Sequence, residues 1–98
     1  VPPTPTSIPK PKAVTSFISN FSLEDRKISV GTKVTWVNQD EYEHTTTSGA
    51  SGSPTDIWDS NSLNQGDSFS FTFTETGTFI YFCRIHTYMT GTITVTGP

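Results

Sequence analysis

Residues 77–95 read Gly-Thr-Phe-Ile-Tyr-Phe-Cys-Arg-Ile-His-Thr-Tyr-Met-Thr-Gly-Thr-Ile-Thr-Val, a stretch that decides both the fold class and the chemistry. Phe79, Tyr81 and Cys83 alternate with Thr78, Ile80 and Phe82, the two-residue period of a β-strand with one buried face. A second strand is expected over residues 91–96. A strand whose inward residues end in Cys delivers that sulfur to one end of the core, and the loop that follows must turn the chain back into an antiparallel neighbour.

Working outward, the same alternation recurs. Phe69, Phe71 and Phe73 share a face opposite Ser68, Ser70 and Thr72, and Val34 and Trp36 alternate with Lys33, Thr35 and Val37. Strands are predicted over residues 13–19, 27–30, 32–38, 44–48, 67–74, 78–83 and 91–96. Clusters of Gly, Asn, Asp and Ser separate them. Residues 49–65 show no such period and read as loop with one short strand near 57–59. Composition agrees: 18 Thr and 12 Ser stand against 2 Ala and 2 Leu, so helix is disfavoured. With 32% hydrophobic residues but 12% aromatic ones, the core must come from a few large side chains, with Trp36, Trp58, Phe79 and Tyr81 among them. The fold class expected is all-β, a Greek-key sandwich or barrel of about seven to eight strands.

A chain of 98 residues is one domain's worth. Residues 1–12 hold 5 of the 7 prolines and read as an extended, solvated linker or tail, leaving residues 13–98 as the folded domain. The tail is either a disordered end or a tether to a membrane anchor or another domain. Formal net charge is −3, yet Lys10 and Lys12 lie in the tail and all 9 acidic residues lie beyond it, so the domain itself is the more acidic part. Nucleic acid is excluded as a partner by the lack of a basic face, whereas a basic protein is compatible. Asp40, Glu41 and Glu43 form a solvated loop or an acidic docking patch.

The chain has 1 Cys, 1 Met and 2 His, and three of those four fall within seven residues as Cys83, His86 and Met89. His44 opens a Thr-rich segment upstream. Taken singly, each has a plain structural reading as a small buried hydrophobe, core filler or surface imidazole. Taken together, the clustering is hard to explain by packing. Thiolate, two imidazoles and a thioether make the ligand set of a type 1 copper site, with three strong donors and one weak axial sulfur. Zinc rarely recruits Met. A Cys83–His86 nucleophile pair is disfavoured because residues three apart in a tight loop seldom leave a substrate free approach, and no orienting Asp or Asn is evident. A copper-trafficking or storage module would use the same donors and stays open, as does a metal-free adhesion domain.

These motifs resemble the plastocyanin, amicyanin and pseudoazurin group of cupredoxins over nearly all of residues 21–95. Ile28-Ser-Val30-Gly31 with Val34-Thr-Trp36-Val-Asn38, then Trp58-Asp59-Ser60 with Leu63, Gly66 and Phe69-Ser-Phe71, and finally residues 77–83 and 89–95 carry the likeness. The two-residue gap between His86 and Met89 is the short version found in amicyanin. The resemblance implies a blue copper protein that shuttles single electrons between larger redox proteins and is not an enzyme. It implies a location outside the cytoplasm and a monomer. His44, Cys83 and His86 would be equatorial ligands and Met89 the axial one, with Thr45, Ile85 and Asn38 around them. The Thr45 and Ile85 N–H groups are expected to reach the sulfur, Ile85 because it stands where many relatives have Pro. Phe82 stands where plastocyanins commonly have an outward Tyr, which argues against electron entry there. Tyr88, Tyr42 and Pro54 are expected to rim His86 on the partner surface.

Overall fold

In the computed structural model, which describes residues 12–97, the β-rich sequence forms eight strands and, among the described residues, no helix. They are β1 (Ala13–Ile18), β2 (Arg26–Ser29), β3 (Lys33–Asn38), β4 (Thr47–Ala50), β5 (Ser53–Asp59), β6 (Ser68–Thr72), β7 (Gly77–Phe82) and β8 (Thr90–Thr96). One sheet has the order β1-β3-β6 and the other β2-β8-β7-β4-β5. The linker assigned to residues 1–12 lies outside the described residues except for Lys12, whose carbonyl accepts the Lys33 N–H at 2.9 Å.

The alternation in the sequence becomes burial. Along β3, Val34, Trp36 and Asn38 are buried while the residues between them are not, and β8 buries Gly91, Ile93 and Val95 in the same way. The inward side chains form an aromatic stack between the sheets. Trp36 lies 5.6 Å from Trp58 and 5.6 Å from Tyr81, with Phe73 against both indoles. Aromatic pairs at such spacings bury much apolar area per residue, which suits a small domain with few aliphatics.

Two expectations change. The segment of residues 44–48 is not a strand from its start, because its amides are committed to side chains instead of a ladder: Thr45 N–H points at Cys83 Sγ and Thr46 N–H donates to Ser60 Oγ at 2.8 Å. His44 makes only an isolated bridge with Leu63, and β4 begins at Thr47. The short strand near 57–59 is the end of the longer β5, an edge strand with only Trp58 buried. Pro54 is tolerated there because an edge need not donate every N–H.

Tyr81 ties the two ends of the core wall together. Its hydroxyl donates to the Glu24 carbonyl and accepts from Trp36 Nε1 at 3.3 Å. Burial, with lesser help from the Asp25 and Glu24 carboxylates, pushes its phenol up to about 12. The unfolded phenol ionises near its ordinary value of about 10, so between those values the fold holds a proton that the unfolded chain has lost. Stability therefore falls as pH rises from about 10 towards 12, by about 2–3 kcal/mol in all. Urea midpoints at pH 8 and pH 11 should show about half of that loss, roughly 1.4 kcal/mol, in the natural chain and a smaller loss in Tyr81→Phe. An equal pH dependence in both would mean that another group governs alkaline unfolding.

Candidate metal centre

β7 ends at Phe82 and β8 begins at Thr90, so residues 83–89 reverse the chain at one end of the sandwich. The loop is pinned across its base: Cys83 N–H donates to the Met89 carbonyl at 3.1 Å, and Met89 N–H to the His86 carbonyl at 2.9 Å. Arg84 N–H is taken by Thr45 Oγ1 at 2.8 Å. Cys83 Sγ is fully buried and faces two backbone donors, the N–H groups of Thr45 and His86, each at 3.4 Å. The second of these was expected from Ile85. It comes from His86 because the turn closes after three residues, as at a helix N-cap, which leaves Ile85 at the outer corner with 46% of its surface exposed. Two N–H groups aimed at the buried sulfur fix its position and direction at the end of β7.

His44 is positioned from β3. Asn38, fully buried at the end of that strand, donates through Nδ2 to the carbonyls of Tyr42 and Leu63, both at 2.8 Å, and accepts the Asp40 N–H at 2.9 Å. Leu63 in turn exchanges backbone bonds with His44 at 3.1 and 2.8 Å. Asn38 thus laces the loop of residues 39–43 against the core and fixes where His44 emerges. The buried His44 ring directs Nε2 at Asp40 Oδ2, 2.8 Å away. Assigning the proton to Nε2 from that hydrogen bond leaves the Nδ1 lone pair facing Cys83. For Asp40 itself, burial pushes the carboxyl up, but the Phe21 N–H, the His44 ring and the Asn20 N–H outweigh it and hold the group below the usual carboxylate value.

His44, Cys83 and His86 come together. Sγ lies 3.9 Å from His44 Nδ1 and 3.8 Å from His86 Nδ1, and the two Nδ1 atoms are 3.2 Å apart. A point equidistant from all three lies about 2.1 Å from each, inside the roughly 2.0–2.3 Å range of bonds from a first-row metal to imidazole nitrogen and thiolate sulfur. One thiolate and two neutral imidazoles in one plane fit copper in both donor type and spacing. Met89 is 2% exposed and belongs to the same buried cluster as Cys83.

Around this centre the expected rim residues reach the loop by different contacts. Tyr88, 71% exposed, lies 6.2 Å from the half-buried His86 ring, centroid to centroid. Tyr42, 61% exposed, packs on Phe21, which in turn meets His86 at 5.1 Å. Pro54 pairs with Gly49 in the β4–β5 hairpin, whose turn residue Ser51 donates to the Thr87 carbonyl of the metal loop at 2.6 Å. Phe82 is 2% exposed, so the residue beside the Cys does not reach solvent. Two residues escaped the sequence reading: Asp40, taken as a surface acid, and Phe21, whose ring stands edge-on to both imidazoles. The only sequence signal for the latter is the Ser-Asn-Phe-Ser turn composition around it.

A family model described as copper binding proteins, plastocyanin/azurin family, matches residues 14–96. Among solved structures, a novel purple cupredoxin from Nitrosopumilus maritimus is 30% identical, with a TM-score of 0.75 over 85% of this chain and 99% of its own. A Met-to-Ala variant of amicyanin in its Cu(I) form is 26% identical, with a TM-score of 0.74 over 86% of this chain and 82% of its own. The reduced state of a Pro-to-Phe variant of amicyanin is 28% identical at the same TM-score of 0.74. No curated protein sequence matches significantly. With a family match over nearly the whole chain, an all-β sandwich and a His-Cys-His centre, this chain belongs to the plastocyanin/azurin family of copper-binding proteins.

Proposed function

We propose that the chain is a one-electron carrier that keeps a single copper ion at His44, Cys83, His86 and Met89 through both of its oxidation states. The observation that carries this reading is the convergence of Cys83 Sγ and two Nδ1 atoms about a common point. Bound copper would supply the Cu(I)/Cu(II) couple. Cys83 would contribute its sulfur, held by two N–H groups, His44 and His86 would contribute one imidazole nitrogen each, and Met89 would add a weak thioether donor. Because β7, β8 and the Asn38 lacing hold the donors, little needs to move between oxidation states. Such a scaffold suits fast electron exchange better than metal release.

Electrons enter and leave through the half-exposed edge of His86. Tyr88, Ile85 and Tyr42 leave apolar surface exposed on and around this loop, the sort of small patch on which transient redox partners meet. The partners are redox proteins met outside the cytoplasm by a monomer.

Adding Cu(II) to the purified protein should give an intense blue or purple colour that ascorbate bleaches and an oxidant restores. A colourless complex would sink the reading. Tyr88→Lys should leave colour and potential nearly unchanged while slowing exchange with redox proteins roughly tenfold, the effect of about 1.4 kcal/mol. If the acidic residues Glu41 and Glu43 matter instead, reversing their charge will slow exchange and Tyr88→Lys will not.

A further inference from the structure

The loop acid nearest the metal site does not face solvent with its neighbours. Asp40 has 14% of its side chain exposed, and its carboxylate is shared among three donors: Asn20 N–H to Oδ1 at 2.8 Å, Phe21 N–H to Oδ2 at 2.9 Å, and His44 Nε2 to Oδ2 at 2.8 Å. Asn20 and Phe21 both have positive φ, 52° and 54°, in a turn closed by Ser22 N–H donating to the Ser19 carbonyl at 2.9 Å. Two positive-φ central residues define a type I′ turn, where glycine or asparagine is usual and a phenylalanine carries a steric cost. What the costly residue provides is its ring. Phe21 stands 5.0 Å from His44 at 84° and 5.1 Å from His86 at 79°, so one side chain braces both imidazoles.

We propose that Asp40 is a positioning residue of the metal centre: it fixes the tautomer and direction of His44 and, by holding the Asn20–Phe21 turn, sets the Phe21 ring against both histidines. Backbone strain persists where surrounding groups over-determine it, and here a carboxylate accepts both amides of the strained pair. The same carboxylate on His44 Nε2 keeps the proton on that atom and strengthens Nδ1 as a donor. A solvated acid would do neither. The inference rests on the copper reading only for its consequence on metal binding, because tautomer and ring packing are properties of the chain alone.

The test has a metal-free arm and a copper arm, both on the full chain. In the metal-free protein, ¹⁵N–¹H correlation spectra should show His44 protonated at Nε2 and Phe21 ring protons close to both imidazoles. Asp40→Asn, which cannot accept all three hydrogens, should populate the Nδ1–H tautomer and loosen the Phe21 contacts, while Asp40→Glu should restore the tautomer at least in part. In the copper arm, Asp40→Asn should weaken Cu(II) binding about tenfold, and pairing it with Phe21→Leu should give less than the product of the two separate losses. Natural-sequence His44 protonated at Nδ1, or an Asp40→Asn chain with unchanged tautomer and ring contacts, would overturn the proposal without any variant needing copper. If the metal-free arm succeeds and the natural chain binds no copper, the copper reading fails and the positioning role stands.

Discussion

Replacing Cys83 with Ser is expected to abolish the intense visible colour of the Cu(II) protein while leaving the sandwich folded. The colour of such a centre requires charge transfer from a thiolate held in one plane with two imidazoles. In this chain the sulfur that would supply it is fully buried, 3.9 and 3.8 Å from the two Nδ1 atoms. A serine hydroxyl fits the space and can accept the same Thr45 and His86 N–H groups, so folding should survive with a cost of about 1 kcal/mol. The hydroxyl does not ionise at neutral pH and has no low-lying donor orbital to match sulfur's. Cu(II) would then rest on His44, His86 and the weak Met89 thioether, with only a pale colour. Met89→Leu is the control in the same titration, since losing a weak axial donor should leave the intense band in place. Retention of the band in Cys83→Ser would place the chromophore elsewhere.

Much of this centre was legible in the sequence because its donors are the chain's scarcest residues and because period-two alternation states which way a side chain points. Phe79, Tyr81 and Cys83 on one face, followed by His86 and Met89 in a short return, leave few geometries open. The sequence is silent where structure depends on pairing between distant segments. The parallel pairs β1 with β3 and β2 with β8 come from crossovers that no local pattern encodes. The full length of β5 was hidden because an edge strand needs no buried face, and six of its seven residues are exposed.

The same limit explains the readings of Asp40 and Ile85. Asp40 sits among Glu41 and Glu43, and nothing local distinguishes an acid that turns inward to His44 and a turn twenty residues upstream from one that faces water. The sulfur's second donor depends on how tightly one loop winds. A shift of one residue, from Ile85 to His86, lies below what spacing can resolve. Both cases concern hydrogen bonds whose partners are chosen by tertiary packing, whereas burial periodicity is chosen by the strand itself.

Gly91→Ala should destabilise the protein by about 3 kcal/mol or more, although alanine is a modest change in a strand. Gly91 lies opposite Tyr81 in the β7–β8 ladder and is buried, and a Cβ there would sit 2.6 Å from Tyr81 Cε1, 2.7 Å from Cζ and 2.9 Å from the hydroxyl oxygen. The ring cannot yield. Trp36 stands 5.6 Å from it and Trp58 5.9 Å, and its hydroxyl is committed to the Glu24 carbonyl and Trp36 Nε1. Overpacking of this kind costs roughly 1–3 kcal/mol, and losing one or both hydrogen bonds as the ring is displaced adds about 1 kcal/mol each. For a domain near 100 residues each kcal/mol moves Tm by roughly 4–8 °C, so the melting temperature should fall by more than about 12 °C. Because Cys83 directly follows β7, two positions beyond Tyr81, the damage should reach the metal end as well, as a weakened colour at temperatures where the fold persists. Making room should reverse it: Gly91→Ala combined with Tyr81→Leu should lose less than the sum of the two single changes. Thermal melts of the four proteins decide the matter, and a fall of less than about 4 °C for Gly91→Ala alone would show that the Tyr81 ring has somewhere else to go.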